Sequence, residues 1–106
     1  MAEVRGSRTG RPVMVLLDLL GRRWALRILW ELRDEALSFR ALRERCDDLS
    51  PSVLNTRLAE LREAGVIAAG EGYALTPAGR ELLALLLPLH RWAEEHMAGA
   101  DRPPGH

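Results

Sequence analysis

Between Ser38 and Leu75 the apolar residues hold a helical spacing through two capped segments, then abandon it at Gly65. Ser38 is a good N-cap for a helix over 38–46, in which Phe39, Leu42 and Cys46 share a face. Asp47-Asp48-Leu49 leaves room only for a tight connection. Ser50 followed by Pro51 then starts another helix. The serine hydroxyl accepts an orphan backbone N–H, and the fixed φ of proline suits the first helical position. Leu54, Leu58 and Leu61 line one side of this helix to about Ala64, and Gly65 stops it. Val66–Ala69 and Tyr73–Leu75 are too short for helices and flank Gly70-Glu71-Gly72. They predict a hairpin with a three-residue loop whose glycines permit positive φ. Helix, brief turn, capped helix and hairpin, in that order, fit few small folds.

The flanking segments complete the pattern. Pro12 starts a short amphipathic helix with Val13, Leu16, Leu17 and Leu20 on one stripe, ended by Gly21. A second helix is expected over 23–34, with Ala25, Ile28, Leu29 and Leu32 buried and Trp24 and Trp30 widening its apolar surface. Thr76-Pro77 repeats the cap-then-proline start, and the last helix should run to about Met97. Pro88 should kink that helix or remove one hydrogen bond from it. The expected fold class is mostly α with a small β-hairpin: a winged helix-turn-helix, dimerising through its N- and C-terminal helices. With 106 residues, 47% of them hydrophobic, the chain suits one domain. That domain is placed at 12–97, after a flexible basic arm at 1–11 and before a Gly/Pro-rich disordered tail at 98–106.

In a helix-turn-helix the second helix enters the major groove, and a hairpin after it forms a wing on the adjacent backbone. With Leu54, Leu58 and Leu61 turned inward, Ser52, Asn55, Thr56 and Ala59 point outward, and Glu63 follows further along. Asparagine can pair bidentately with adenine, and serine and threonine can meet bases or phosphates. Ser50, at the helix start, joins this DNA-facing set. Arg57 and Arg62 lie on the flanks, Arg40 and Arg43 on the solvent side of the preceding helix, and Arg22 and Arg23 at another helix start. All six are expected at phosphates.

Charge supports that placement by distribution, not by total. The chain has 15 basic and 15 acidic residues, and every base is arginine. Residues 1–33 hold seven arginines against three acids, whereas 71–106 hold three against five. Arginine forks suit phosphate and guanine.

The last helix is apolar over more than one face, at Leu82, Leu83, Leu85, Leu86, Leu87, Leu89, Trp92 and Ala93. A chain this small cannot cover such a helix alone. The expected two-fold interface takes Val13, Leu16, Leu17 and Leu20 from the first helix and Leu82, Leu85, Leu86, Leu89 and Trp92 from the last. The single Cys46 excludes an internal disulfide and reads as a buried structural thiol. His90 and His96 do not share a helix face, so neither a metal site nor another cofactor is expected. No nucleophile or acid–base set supports an enzyme. No signal peptide or membrane span is evident, so a cytoplasmic, nucleoid-associated protein is expected. The alternative is a winged-helix protein-interaction module with weak or lost DNA binding, which the overall neutrality favours.

These residues resemble the HxlR-type winged-helix regulators of bacteria. The carriers are Arg11-Pro-Val, Leu19-Leu-Gly-Arg-Arg-Trp-Ala-Leu-Arg-Ile-Leu, Ser38-Phe-Arg-Ala-Leu, and the run from Leu49-Ser-Pro-Ser through Ala64-Gly-Val-Ile. Tyr73-Ala-Leu-Thr-Pro-Ala-Gly-Arg-Glu-Leu and Trp92 extend the likeness over about 11–97. The resemblance implies a dimeric transcription factor that binds double-stranded operator DNA and answers a small-molecule effector or thiol stress. It also implies dimer contacts from the first and last helices. Three departures stand out. Arg11 occupies the place of the usual N-terminal cysteine, Ser52 and Ala59 replace common basic residues, and the wing is short with Glu71 at its tip. Fewer phosphate contacts and a shallower salt dependence should follow.

Overall fold

The computed structural model describes residues 11–101, with side chains through Met97. The basic arm expected over 1–11 lies outside the described residues, apart from Arg11, the extended N-cap of the first helix. Seven elements follow in order: α1 (Pro12–Leu20), α2 (Ala25–Glu31), α3 (Phe39–Arg45), α4 (Pro51–Glu63), β1 (Ile67–Ala69), β2 (Tyr73–Leu75) and α5 (Pro77–Asp101). The chain is thus mostly helical with one antiparallel hairpin, as the apolar spacing predicts.

The caps form where the sequence places them. Ser38 Oγ accepts from Ala41 N at 3.0 Å, and Ser50 Oγ accepts from Val53 N at 3.3 Å. Thr76 Oγ1 accepts from Gly79 N at 3.0 Å and donates to the Gly65 carbonyl at 2.6 Å. One hydroxyl therefore fixes the start of α5 against the end of α4. Gly65 has φ 83°, the left-handed stop expected after α4.

Two boundaries differ from the sequence reading. Trp24 adopts φ 76°, so α2 cannot begin at Arg23 and is shortened to Ala25–Glu31. The half-buried indole of Trp24 packs against the core, and that packing holds a conformation costing about 1–2 kcal/mol for a non-glycine residue. Gly21, by contrast, ends α1 with ordinary right-handed angles. At the other end α5 continues past Met97 to Asp101, so the tail expected from Ala98 begins with helix. Beyond Asp101 it lies outside the described residues. The helix carries Pro88 within its span. No helix among the described residues is long and apolar enough to cross a membrane.

The turn between α3 and α4 is made by two consecutive left-handed aspartates, Asp47 at φ 59° and Asp48 at φ 58°. Short polar side chains tolerate this region better than most. Arg43 Nε donates to the Leu49 carbonyl at 2.6 Å and staples the turn. Inside it, Leu42, Cys46, Leu54, Leu58 and Leu61 meet Ile28, Leu29 and Leu32 of the α2 segment in one fully buried core.

In the hairpin Ile67 pairs with Leu75, Ala68 with Ala74 and Ala69 with Tyr73. A third segment, not expected from the sequence, lies along β2. Leu37 N donates to the Tyr73 carbonyl at 3.0 Å, and Tyr73 N donates back to the Leu37 carbonyl at 2.8 Å. Gly72 permits that approach, because a Cβ there would lie 3.0 Å from the Leu37 oxygen. The wing is thereby anchored to the residue just before the α3 cap.

Candidate nucleic-acid interface

α4 exposes the face expected of it. Ser52, Asn55, Thr56, Ala59 and Glu63 are all at the surface, opposite buried Leu54, Leu58 and Leu61. The Asn55 side chain makes no hydrogen bond among the described residues, so its amide keeps both donor and acceptor for a ligand. Thr56 differs, since its Oγ1 donates to the Ser52 carbonyl at 3.0 Å within the helix. Ser50 uses its hydroxyl as a cap.

The arginines divide into two groups. Arg40 is 87% exposed and touches only Glu44, at 3.5 Å, while Arg23 and Arg62 are exposed with no side-chain partner among the described residues. These three are placed as surface cations. Arg22, Arg43 and Arg57 are engaged within the fold. Arg22 donates to Glu60 Oε2 at 2.8 Å and reaches Asp18 at 3.3 Å. Arg57 donates from Nη1 to Glu60 Oε1 at 3.1 Å and from Nε to the Arg23 carbonyl at 2.9 Å. Arg43 holds the α3–α4 turn. Spacing could signal Arg57–Glu60 at i,i+3 and Asp18–Arg22 at i,i+4, but it gives no sign of Arg22–Glu60, which lie 38 residues apart.

The residues expected at a two-fold interface also divide. Val13, Leu17, Leu85, Leu89 and Trp92 are more than half exposed. Leu16, Leu82 and Leu86 are half-buried against the core, and Leu20 belongs to the core. Five of the nine expected residues thus present free apolar surface, and Met14, Val15, Leu26, Leu87 and Met97 are exposed apolar residues outside that set. Beside this surface, a groove of about 530 Å³ between α2 and α5 is lined by Leu26, Trp30, Leu87, Leu89 and His90, among others. Trp30 stacks near His90 with centroids 6.3 Å apart and carries the Arg33 guanidinium at 3.9 Å. Trp92 stacks instead on His96 at 4.5 Å.

Cys46 is wholly buried. Burial pushes its thiol up from the usual cysteine value, against a smaller opposing pull from the Arg27 guanidinium. Since the thiolate is the nucleophile, Cys46 should resist an aromatic disulfide reagent in the folded protein and react fully in denaturant. Fast labelling of native protein, read by absorbance, would contradict this.

Comparison with known proteins gives one consistent answer. The HxlR-like helix-turn-helix family matches residues 19–101. An HTH-type transcriptional regulator of Mycobacterium tuberculosis is 32% identical over 103 residues, covering 90% of this chain and 65% of that protein. The chain thus spans just under two thirds of the length of its mycobacterial relatives. The HTH-type transcriptional regulator YdeP of Bacillus subtilis is 29% identical over 101 residues, covering 88% of this chain and 79% of YdeP. Among solved structures, quinone-bound YodB of Bacillus subtilis superposes with a TM-score of 0.74 at 28% identity, covering 78% of this chain and 96% of YodB. The reduced form of YodB gives 0.73 at 27% identity, covering 82% and 94%. With helix order, hairpin and sequence in agreement, the chain belongs to the HxlR-like helix-turn-helix family.

Proposed function

We propose that this chain is a sequence-specific transcriptional regulator that binds operator DNA as a cytoplasmic homodimer. The observation that carries the reading is the outward face of α4. Ser52, Asn55 and Thr56 are small, uncharged and exposed, on a helix whose opposite face is fixed in the core. A row of short polar groups lets the helix approach base edges closely, and Asn55 has an amide free for adenine. Exposed Arg40 and Arg62 stand at the sides, where phosphates would pass. Val13 and Leu17 on α1, with Leu85, Leu89 and Trp92 on α5, supply the apolar strip for a second copy. A small-molecule effector fits the reading, since the structurally similar YodB is known in a quinone-bound form.

The test is fluorescence anisotropy against labelled DNA from the region upstream of the gene, across a salt series. Asn55→Ala should weaken specific binding by about 1–3 kcal/mol, roughly 5- to 150-fold, and leave binding to random DNA unchanged. Equal binding to both DNAs, insensitive to Asn55, would sink the sequence-specific reading. It would favour a winged-helix module that docks on protein.

A further inference from the structure

Glu60 sits on one flank of α4 and accepts from two arginines at once. Arg22 donates to one of its oxygens at 2.8 Å and Arg57 to the other at 3.1 Å. Both arginines have further partners, Asp18 for Arg22 and the Arg23 carbonyl for Arg57. The cluster thus fastens the middle of the outward-facing helix to the turn between α1 and α2. It is not sealed from solvent. Arg22 is 39% exposed, and it borders an open cleft of about 250 Å³ between α1 and α4. Among the described residues Arg22 is the sole cation lining that cleft, against Asp18, Glu60 and Glu63.

A helix with its side chains is about 10–12 Å across, and the major groove is about 12 Å wide. A docked α4 therefore has phosphates along both flanks. The flank bearing Arg22 and Arg57 would meet one of them with its positive charge already neutralised. We propose that Glu60 is an internal counter-ion that competes with a backbone phosphodiester for Arg22 and Arg57, and so limits the affinity and salt dependence of DNA binding. The proposal rests on the DNA-binding reading above. Glu60 does not touch DNA in this account; it acts through the two arginines.

The experiment is anisotropy with a labelled random-sequence duplex between about 50 and 200 mM salt, where phosphate contacts dominate. Wild type is compared with Glu60→Gln, Asp18→Asn, and Glu60→Gln combined with Arg22→Gln and Arg57→Gln. Glu60→Gln should bind more tightly, with the slope of log affinity against log salt steeper by about 1–2. Its advantage over wild type should grow about 3- to 12-fold from 200 to 50 mM salt. Loss of both arginines should erase the gain. Asp18→Asn removes the longer of the two carboxylate contacts of Arg22 and leaves Glu60 in place, so it should steepen the slope by less than Glu60→Gln does. Glu60→Ala, which removes the same carboxylate and keeps helix propensity, should steepen the slope as Glu60→Gln does and decides the matter if Glu60→Gln fails to fold. An unchanged slope in a folded variant would overturn the proposal, as would weaker binding at an unchanged slope, which marks Glu60 as a brace only. Absence of binding by wild type and every variant would overturn the DNA-binding reading together with this one. Wild-type binding without a change in slope would overturn this proposal alone.

Discussion

Gly79→Ala is expected to destabilise the domain by about 3 kcal/mol or more, lowering the melting temperature by roughly 15 °C or more. Helix propensity alone predicts the opposite sign, since alanine exceeds glycine by about 1 kcal/mol inside a helix. Packing reverses it. Gly79 lies in the first turn of α5, pressed onto the strand side of the fold. A Cβ there would overlap the Val66 carbonyl oxygen and come within 3.4 Å of a Leu75 methyl. Backbone cannot swing aside as a side chain would. The Val66 oxygen already accepts from Thr76 N at 3.1 Å, and Val66 N is bonded to the Leu61 carbonyl at 3.2 Å. The clash would be relieved only by lifting α5 off the hairpin. That movement would also pull Gly79 N and the Gly65 carbonyl away from the Thr76 hydroxyl. Thermal unfolding followed by circular dichroism measures the effect. Gly70→Ala is the control, since open space surrounds that site, and it should change stability by no more than about 0.5 kcal/mol. A Gly79→Ala protein as stable as wild type would show that α5 and β1 part easily.

Gly79 also marks where sequence reasoning stops. The local signals were legible because each is a short-range contact. Ser38, Ser50 and Thr76 cap helices by reaching backbone N–H groups three residues ahead, and Gly65 stops α4 by its own conformation. The inward stripe of α4 follows from helical period alone, so the outward position of Asn55 followed as well. What stayed hidden is long-range. A single residue, Leu37, has no period to betray that it pairs with Tyr73 across 36 positions. Nothing near Trp24 announces a left-handed residue, because its packing against the core imposes that conformation. Arg57 and Glu60 share a helix face three residues apart, but nothing local brings Arg22, expected at phosphate, onto the same carboxylate. The likeness to the HxlR-type proteins supplied the architecture, but it could not tell free cations from engaged ones.

Leu85→Asp combined with Leu89→Asp is expected to convert the proposed dimer into a stable, folded monomer with little operator binding. The two leucines are 69% and 61% exposed, so neither supports the monomer core. Leu86, half-buried against that core, would be a poor choice, because its loss would confuse unfolding with dissociation. Burying a leucine side chain is worth about 1.5–3 kcal/mol. About two thirds of each side chain remains to be buried, so two leucines from each of two copies represent about 4–8 kcal/mol of association energy, before any cost of burying aspartate. Against dimers of micromolar to nanomolar strength, about 8–12 kcal/mol, that loss is decisive. Light scattering should therefore report 11.8 kDa for the variant and twice that for wild type. The melting temperature of the variant should match that of a wild-type monomer obtained by dilution. DNA binding should fall with the dimer. Two recognition helices set about 34–36 Å apart read two half-sites together, whereas one alone keeps mainly its phosphate contacts. A double variant that remains dimeric would place the interface elsewhere on the chain. A monomeric variant that still binds operator at wild-type affinity would show that one copy of α4 and the wing is sufficient.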